Sequence, residues 1–180
     1  MKEKYDAGIL FVDDEPEILG QFRKMFAPLV DRVVTFQTAR EALAYPNLKC
    51  MDLAVLDLHM PEVDGIRLLM DLRKASPGLP CVFVTGYGDK DAVQAALRLG
   101  AEDFLDKPFH PDALRNCVMR ALEKRFYDKL MNGILELFIY DYTKLDFRNF
   151  NKMPLAERER ALEAALGLAR MKLLAKTHCA

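Results

Sequence analysis

Residues 8–18 read GILFVDDEPEI, an apolar run that ends in three acidic residues and a proline. A short apolar stretch such as 8–12, bounded by charges, is typical of a strand buried on both faces of a sheet. Pro16 suits the first turn of the helix that follows, where its missing N–H leaves no hydrogen bond unmade. Two carboxylates about 4 Å apart repel by roughly 4 kcal/mol at an effective dielectric of about 20. The adjacent Asp13 and Asp14 therefore indicate that a cation neutralises this strand end.

The same strand-then-helix pattern recurs four more times before residue 121. Strands are predicted at 33–36, 53–57, 81–85 and 103–105, and each is followed by a helix with three- or four-residue apolar spacing. Alternation of this length predicts an α/β fold with a parallel sheet covered on both faces. Right-handed crossovers favour a doubly wound, flavodoxin-like sheet of five strands in the order 2-1-3-4-5. In such sheets the functional crevice lies beyond the carboxyl ends of the strands.

Polar side chains stand at four of these strand ends. They are Asp13 and Asp14 after the first strand, Asp57 at the end of the third, Thr85 at the end of the fourth and Lys107 after the fifth. Three carboxylates in one crevice need a cation, and an all-oxygen ligand set favours Mg²⁺. An Asp57 oxygen could then attack phosphorus, while Lys107 and Thr85 bind the phosphoryl oxygens. Each residue alone has an ordinary explanation as a cap, a strand-end residue or a solvated charge, so the hypothesis rests on their conjunction.

The segments VDDEP, LDLHMPEVDG, VTGYGD and DFLDKPF together resemble the receiver domain of two-component response regulators. This resemblance covers roughly residues 6–123. It implies that a phosphohistidine on a histidine kinase or phosphotransfer protein phosphorylates Asp57. It also implies that Mg²⁺ is held by the side chains of Asp13, Asp14 and Asp57 and by the backbone carbonyl of His59. A protein of this kind is a self-phosphorylating and self-dephosphorylating signalling switch, not a metabolic enzyme.

The resemblance also assigns roles to residues of the fourth and fifth strands. It implies that Thr85 and Lys107 bind the phosphoryl group and that Phe104 is a switch aromatic, moving inward when Thr85 is recruited. The peptide bond after Lys107 is expected to be cis. His59 and Tyr87, near the crevice mouth, have two interpretations. Either they are exposed loop side chains or they tune dephosphorylation by steering water.

About 60 residues follow the receiver pattern, so we predict a receiver domain at 1–123 and a helical extension at 124–180. Apolar spacing of three and four residues continues the fifth helix to about residue 142, and a second helix begins after Pro154. The stretch TKLDFRNFNKM between them has the mixed polarity of a connector. Both helices carry an apolar face that they cannot bury alone. This favours a homodimer or docking of a downstream protein partner.

Two alternatives to a phosphorylation switch stay open. The stretch AALGLARMKLLAKTH resembles the last helices of a Fis-type helix-turn-helix, in which a Leu-Gly turn precedes the recognition helix, and would make the chain a DNA-binding transcriptional regulator. It offers few basic residues and lacks the spacing of a three-helix unit, so binding to nucleic acid is not favoured. The other alternative is a constitutive interaction scaffold that is never phosphorylated.

Composition narrows the classes of protein further. The formal net charge is −1, so no overall basic field attracts nucleic acid. The four cysteines are scattered without a CxxC pair, which predicts free thiols in a reducing compartment. The sequence offers no signal peptide at its start and no apolar run long enough to cross a bilayer. We therefore expect a cytoplasmic protein without membrane contact.

Overall fold

The computed structural model describes residues 4–61, 63–86 and 90–177. The strands are β1 (Tyr5–Val12), β2 (Val30–Phe36), β3 (Leu53–Asp57), β4 (Cys81–Gly86) and β5 (Asp103–Lys107). The α-helices are α1 (Pro16–Phe26), α2 (Ala39–Leu43), α3 (Gly65–Ala75), α4 (Lys90–Arg98), α5 (Pro111–Thr143), α6 (Phe147–Lys152) and α7 (Leu155–Thr177). The strands form one parallel sheet in the order β2-β1-β3-β4-β5. The predicted fold class and strand order are confirmed.

The two faces of the sheet contribute to separate apolar clusters because successive side chains of a strand point to opposite sides. Along β1, Leu10 and Val12 pack with residues of α2, α3 and α4. The alternating residues Ile9 and Phe11 pack instead with α1 and α5. All four side chains are buried, so β1 is covered on both faces, as its unbroken apolar sequence indicated.

Two strands begin earlier than the sequence predicted. β1 begins at Tyr5 and β2 at Val30, rather than at residues 8 and 33. The backbones of Tyr5 and Val30 pair, which extends the ladder through polar and exposed residues. Backbone pairing of this kind leaves no apolar pattern in the sequence, so apolar spacing could not predict where these strands begin.

The chain divides into two compact units, Met1–Arg125 and Phe126–Ala180, and α5 contributes residues to both. α5 ends at Thr143, one residue beyond its predicted end. The predicted connector was wrong in part, because it contains α6. The carboxylate of Asp146 caps α6 by accepting a hydrogen bond from the backbone N–H of Asn149 at 2.9 Å. Within the described residues, no helix has both the length and the apolar character that a bilayer span needs.

Neighbouring residues of α3 provide a test of which helix face supports the sheet. Leu69 is fully buried, whereas Met70 is 46% exposed. We expect Leu69→Ala to lower the free energy of unfolding by about 3 kcal/mol, because it leaves a cavity in the core. Met70→Ala is the matched control and should change it by less than about 0.5 kcal/mol. Denaturant unfolding measures both, and equal losses would contradict the described packing.

Candidate functional site

The carboxyl ends of β1 and β3 bring three acidic side chains together. Val12 pairs with Leu56, so the chain leaves both strands at the same edge of the sheet. Asp13 and Asp57 are buried there, and Asp14 is exposed. One carboxylate oxygen from each of these three residues lies within 4.8 Å of the other two. This is the convergence of strand ends that the parallel sheet predicted.

Lys107 reaches this cluster from the end of β5, although β4 lies between β5 and β3 in the sheet. Its Nζ donates to Asp13 Oδ2 at 2.8 Å, to Asp57 Oδ2 at 3.0 Å and to Glu15 Oε1 at 3.2 Å. Burial acts to lower the pKa of Lys107, but the hydrogen bonds to Asp13 and Asp57 outweigh it and raise the pKa above its usual range. The amine is therefore charged at neutral pH. The peptide bond that follows Lys107 is cis, as the resemblance predicted.

The site carries more negative than positive charge. In the described residues 4–61, 63–86 and 90–177, the ion pairs of this cluster join one ammonium group, that of Lys107, to three carboxylates. Burial of the Asp13 carboxylate raises its pKa, although Lys107 and the backbone N–H of Glu15 donate to it and act in the opposite direction. The ammonium therefore does not fully compensate Asp13. A divalent cation with oxygen ligands fits this donor set and this charge.

The loop after β3 fixes the Asp57 carboxylate. The backbone N–H of His59 donates to Asp57 Oδ1 at 3.1 Å, so the two carboxylate oxygens have different partners. The His59 side chain is exposed. The role of the His59 carbonyl as a metal ligand stays a prediction. Tyr87, the other residue considered near the crevice mouth, lies outside the described residues.

Gly65 supports this loop, a role that was not predicted from the sequence. Its N–H donates to the carbonyl of Leu58 at 2.9 Å. A Cβ at this position would lie 3.1 Å from the Leu58 Cα and inside van der Waals contact of the Asp57 carbonyl oxygen. The sequence signal was the Asp-Gly pair that opens α3, in which Asp64 also caps the helix by accepting from the N–H of Arg67 at 2.7 Å.

Thr85 and Phe104 occupy the same face of the sheet. Phe83 pairs with Phe104 across β4 and β5, and Thr85 lies two residues beyond Phe83, so their side chains point to one side. Thr85 is fully buried, and its hydroxyl donates to the Gly86 carbonyl at 3.2 Å. Phe104 is 37% exposed. The structure therefore places Thr85 at the carboxyl edge and leaves the Phe104 side chain exposed.

The geometry agrees with what comparison with known proteins shows. The sequence model of the response regulator receiver domain matches residues 9–119, which is more than half of the chain. The chain therefore belongs to the receiver domain family of two-component response regulators, and it extends beyond that domain. Members of this family take part in signal transduction, generally bind Mg²⁺ in an acidic pocket and interact with a histidine kinase or another phosphodonor.

Individual relatives are similar over a stretch of about the same length. The C4-dicarboxylate transport transcriptional regulatory protein DctD of Pseudomonas aeruginosa is 38% identical over 120 residues, which cover 65% of this chain and 25% of DctD. The transcriptional regulatory protein GlrR of Escherichia coli is 35% identical over 118 residues, which cover 66% of this chain and 27% of GlrR. The chain thus spans about a quarter of the length of the curated relatives it matches. A response regulator receiver domain protein from Clostridium thermocellum aligns with a TM-score of 0.61 and 27% identity, over 69% of this chain and 98% of that one.

The close approach of Gly65 to β3 is testable with one substitution at two positions. Gly65→Ala should lower the free energy of unfolding by about 2 kcal/mol, because the added Cβ must displace the Asp57–Leu58 backbone. Gly20→Ala in α1 is the matched control, since no atom lies within 4 Å of its added Cβ. It should stabilise the protein by up to about 1 kcal/mol through helix propensity. Thermal and denaturant unfolding report both signs, and stabilisation by Gly65→Ala would contradict the described loop.

The excess negative charge predicts that Asp13→Asn stabilises the metal-free protein. Because the folded-state pKa of Asp13 is raised, its ionisation opposes folding, and this cost is absent below the unfolded pKa of about 3.8. We expect a gain of about 1 kcal/mol at pH 7 that disappears as the pH falls below this value.

The measurement is urea unfolding in the presence of a chelator, repeated over a series of pH values. Asp6→Asn, at an exposed position of β1, is the control and should change nothing. Adding Mg²⁺ should stabilise the unmodified protein and leave Asp13→Asn almost unaffected. Destabilisation of the metal-free variant at pH 7 would show that Lys107 already balances the cluster.

Proposed function

We propose that this chain is the phosphorylated switch of a two-component response regulator, with Asp57 as phosphoryl acceptor. In the transfer, an Asp57 oxygen forms a bond to phosphorus while the bond from phosphorus to the imidazole nitrogen of the kinase phosphohistidine breaks. The product is an acyl phosphate, and the kinase histidine leaves with the electron pair of the broken bond. The observation that carries the proposal is the Asp57 carboxylate itself, held by Lys107 on Oδ2 and by the His59 N–H on Oδ1 beside two further acidic side chains.

The residues around Asp57 supply the rest of the chemistry. Asp13, Asp14 and Asp57 would hold Mg²⁺, with the His59 carbonyl as a further ligand, and the ion would offset charge on the phosphoryl oxygens. Lys107 already contacts Asp57 Oδ2 at 3.0 Å, so its ammonium is in place to pair with a phosphoryl group attached there. Thr85 donates to the adjacent Gly86 carbonyl, and its hydroxyl can turn toward a phosphoryl oxygen.

The switch would consist of two positions of Phe104. Phe104 is exposed on the same face of the sheet as Thr85, so movement of Thr85 toward the phosphoryl group would open space for the ring. The ring has no hydroxyl, and the inward state would depend on packing alone. A change of this kind shifts a two-state equilibrium and alters the surface formed by α4, β5 and α5.

We propose that the second unit, Phe126–Ala180, is the output segment and acts by self-association or by docking of a downstream partner. A DNA-binding output receives less support. The relatives named transcriptional regulators match over about 120 residues, a length close to that of the receiver region at 9–119 and short of the whole chain. Gly167 lies inside α7 rather than in a turn, and a helix-turn-helix would need a turn there.

Acetyl phosphate tests the phosphoryl acceptor directly. Incubated with Mg²⁺ and acetyl phosphate, the chain should gain the mass of one phosphoryl group in intact-protein mass spectrometry. Asp57→Asn, which keeps the shape of the side chain, should gain none. A metal-free incubation should also gain none, because the acidic cluster would lack its counter-charge. No gain of mass by the unmodified chain, under conditions in which Mg²⁺ binding is seen, would favour the scaffold alternative.

A further inference from the structure

The second unit exposes a long apolar stripe on α5. It consists of seven large side chains, each at least 47% exposed: Phe126, Tyr127, Leu130, Met131, Ile134, Leu137 and Tyr140. We call this set the α5 stripe. Single exposed apolar residues are ordinary, but a contiguous patch of this size on one helix marks an interaction site.

α5 has a second apolar face, and that one is covered. Ile139 on α5, Phe150 on α6 and Ala165 on α7 are all buried, so each helix of the unit has at least one buried apolar residue. Ile139 lies on the opposite side of α5 from the midpoint of the stripe, as the helical period of 3.6 residues requires. Within the described residues, the Ile139 side of α5 is therefore buried and the α5 stripe is exposed.

The spacing within the stripe is that of a helix that pairs with a copy of itself. Tyr127, Leu130, Ile134 and Leu137 follow one another by three, four and three residues, which are the a and d positions of a heptad. The remaining members flank this seam on both sides and widen it beyond two positions in seven. A seam of this width suits close packing of helices around a two-fold axis.

We propose that the α5 stripe is a homodimer interface, in which the stripes of two copies of this chain pack against each other. A homodimer is one form of the association proposed for the second unit, and its formation does not depend on whether Asp57 accepts a phosphoryl group. Seven half-exposed large side chains offer on the order of 600 Å² per subunit. Two copies would bury about 1,200 Å², the lower end of stable protein interfaces. We therefore expect micromolar affinity.

The charges beside the stripe argue against a lipid surface as its occupant. Between residues 126 and 141 the exposed charged side chains of α5 are Asp128, Lys129, Glu136 and Asp141. Helices that bind anionic membranes carry mainly Lys and Arg on their polar face. Three acidic residues against one basic residue would repel such a membrane, whereas a second copy of the stripe offers apolar surface alone.

α7 also exposes apolar residues, and those at positions 155–171, where the structure describes the side chains, lie on more than one side of the helix. Leu166, Leu168 and Met171 are exposed, and Leu166 and Leu168 point to nearly opposite sides of the helix because they are two residues apart. An interface on α5 and an interface on α7 would therefore respond to different substitutions, and matched variants can distinguish the two.

Sedimentation velocity of the full chain tests the interface. The protein concentration should run from about 1 to 100 μM, a range that brackets the expected dissociation constant. Without phosphodonor we expect a concentration-dependent dimer. Leu130→Glu combined with Ile134→Glu should raise the dissociation constant at least 100-fold, because four charges would meet in the seam. Both residues are exposed, so the variant should keep the circular dichroism and the unfolding midpoint of the unmodified chain. Leu97→Glu, at an exposed position of α4, is the matched control and should leave the dimer intact.

Cross-linking provides a second readout that needs no charged substitution. Gly133 lies midway along the length of the stripe and beside its seam, Gly167 lies within α7, and a Cβ added at either position would meet no other part of the described chain within 4 Å. In a background with Cys50→Ser and Cys179→Ser, Gly133→Cys should give a covalent dimer with a short bis-maleimide, and Gly167→Cys should not. Burial raises the pKa of Cys81 and, to about 12, that of Cys117, so these two buried thiols should not interfere.

Several outcomes would overturn the proposal. They are a monomer throughout the concentration range, a dimer that survives the double Glu substitution, loss of the dimer in Leu97→Glu, and cross-linking through Gly167→Cys as fast as through Gly133→Cys. Phosphorylation is measured separately by mass. A chain that takes up phosphate yet stays monomeric would refute the interface alone, and a dimer without phosphate uptake would refute the switch alone.

Discussion

Lys107 connects the end of β5 to carboxylates at the ends of β1 and β3, and the balance between these opposite charges determines the electrostatics of the carboxyl edge of the sheet. Its ammonium satisfies several oxygens at once, yet burial still raises the pKa of Asp13. A buried carboxylate that its partner does not fully compensate is costly to folding in isolation. The divalent cation proposed for this site would offset that cost.

The fold supplies this arrangement through topology. In a parallel sheet all carboxyl ends lie at one edge, so residues that follow different strands become neighbours there. The apolar side chains of β1 and β3 are buried on both faces, which fixes the strand ends to a packed core. Gly65 adds a local constraint, because it lets α3 begin directly against the backbone of Asp57. Asp57 is therefore held from the sheet, from the loop and from Lys107 together.

Among the described residues, the second unit has few buried apolar side chains. In the second unit α5, α6 and α7 each have a buried apolar residue, and the burial described on this part of α5 lies on one side of the helix. The remaining side is apolar over about four turns. Membership of the receiver family explains residues 9–119 and leaves this surface to be explained by its own chemistry.

The sequence by itself determined the class of fold, since the alternation of short apolar strands with helices permits few topologies and parallel topology puts the strand-end residues at one edge. It also indicated a long fifth helix with an apolar face that the helix cannot bury alone. The tertiary structure decided which atoms meet. Lys107 lies 94 residues from Asp13 and shares its ammonium with Glu15 as well, and no local pattern predicts such a distribution of bonds. The same holds for the close approach of Gly65, for the paired backbone that lengthens β1 and β2, and for the face of α5 that is left exposed. Each depends on distances set by packing between segments remote in the chain, and periodicity carries no information about those distances.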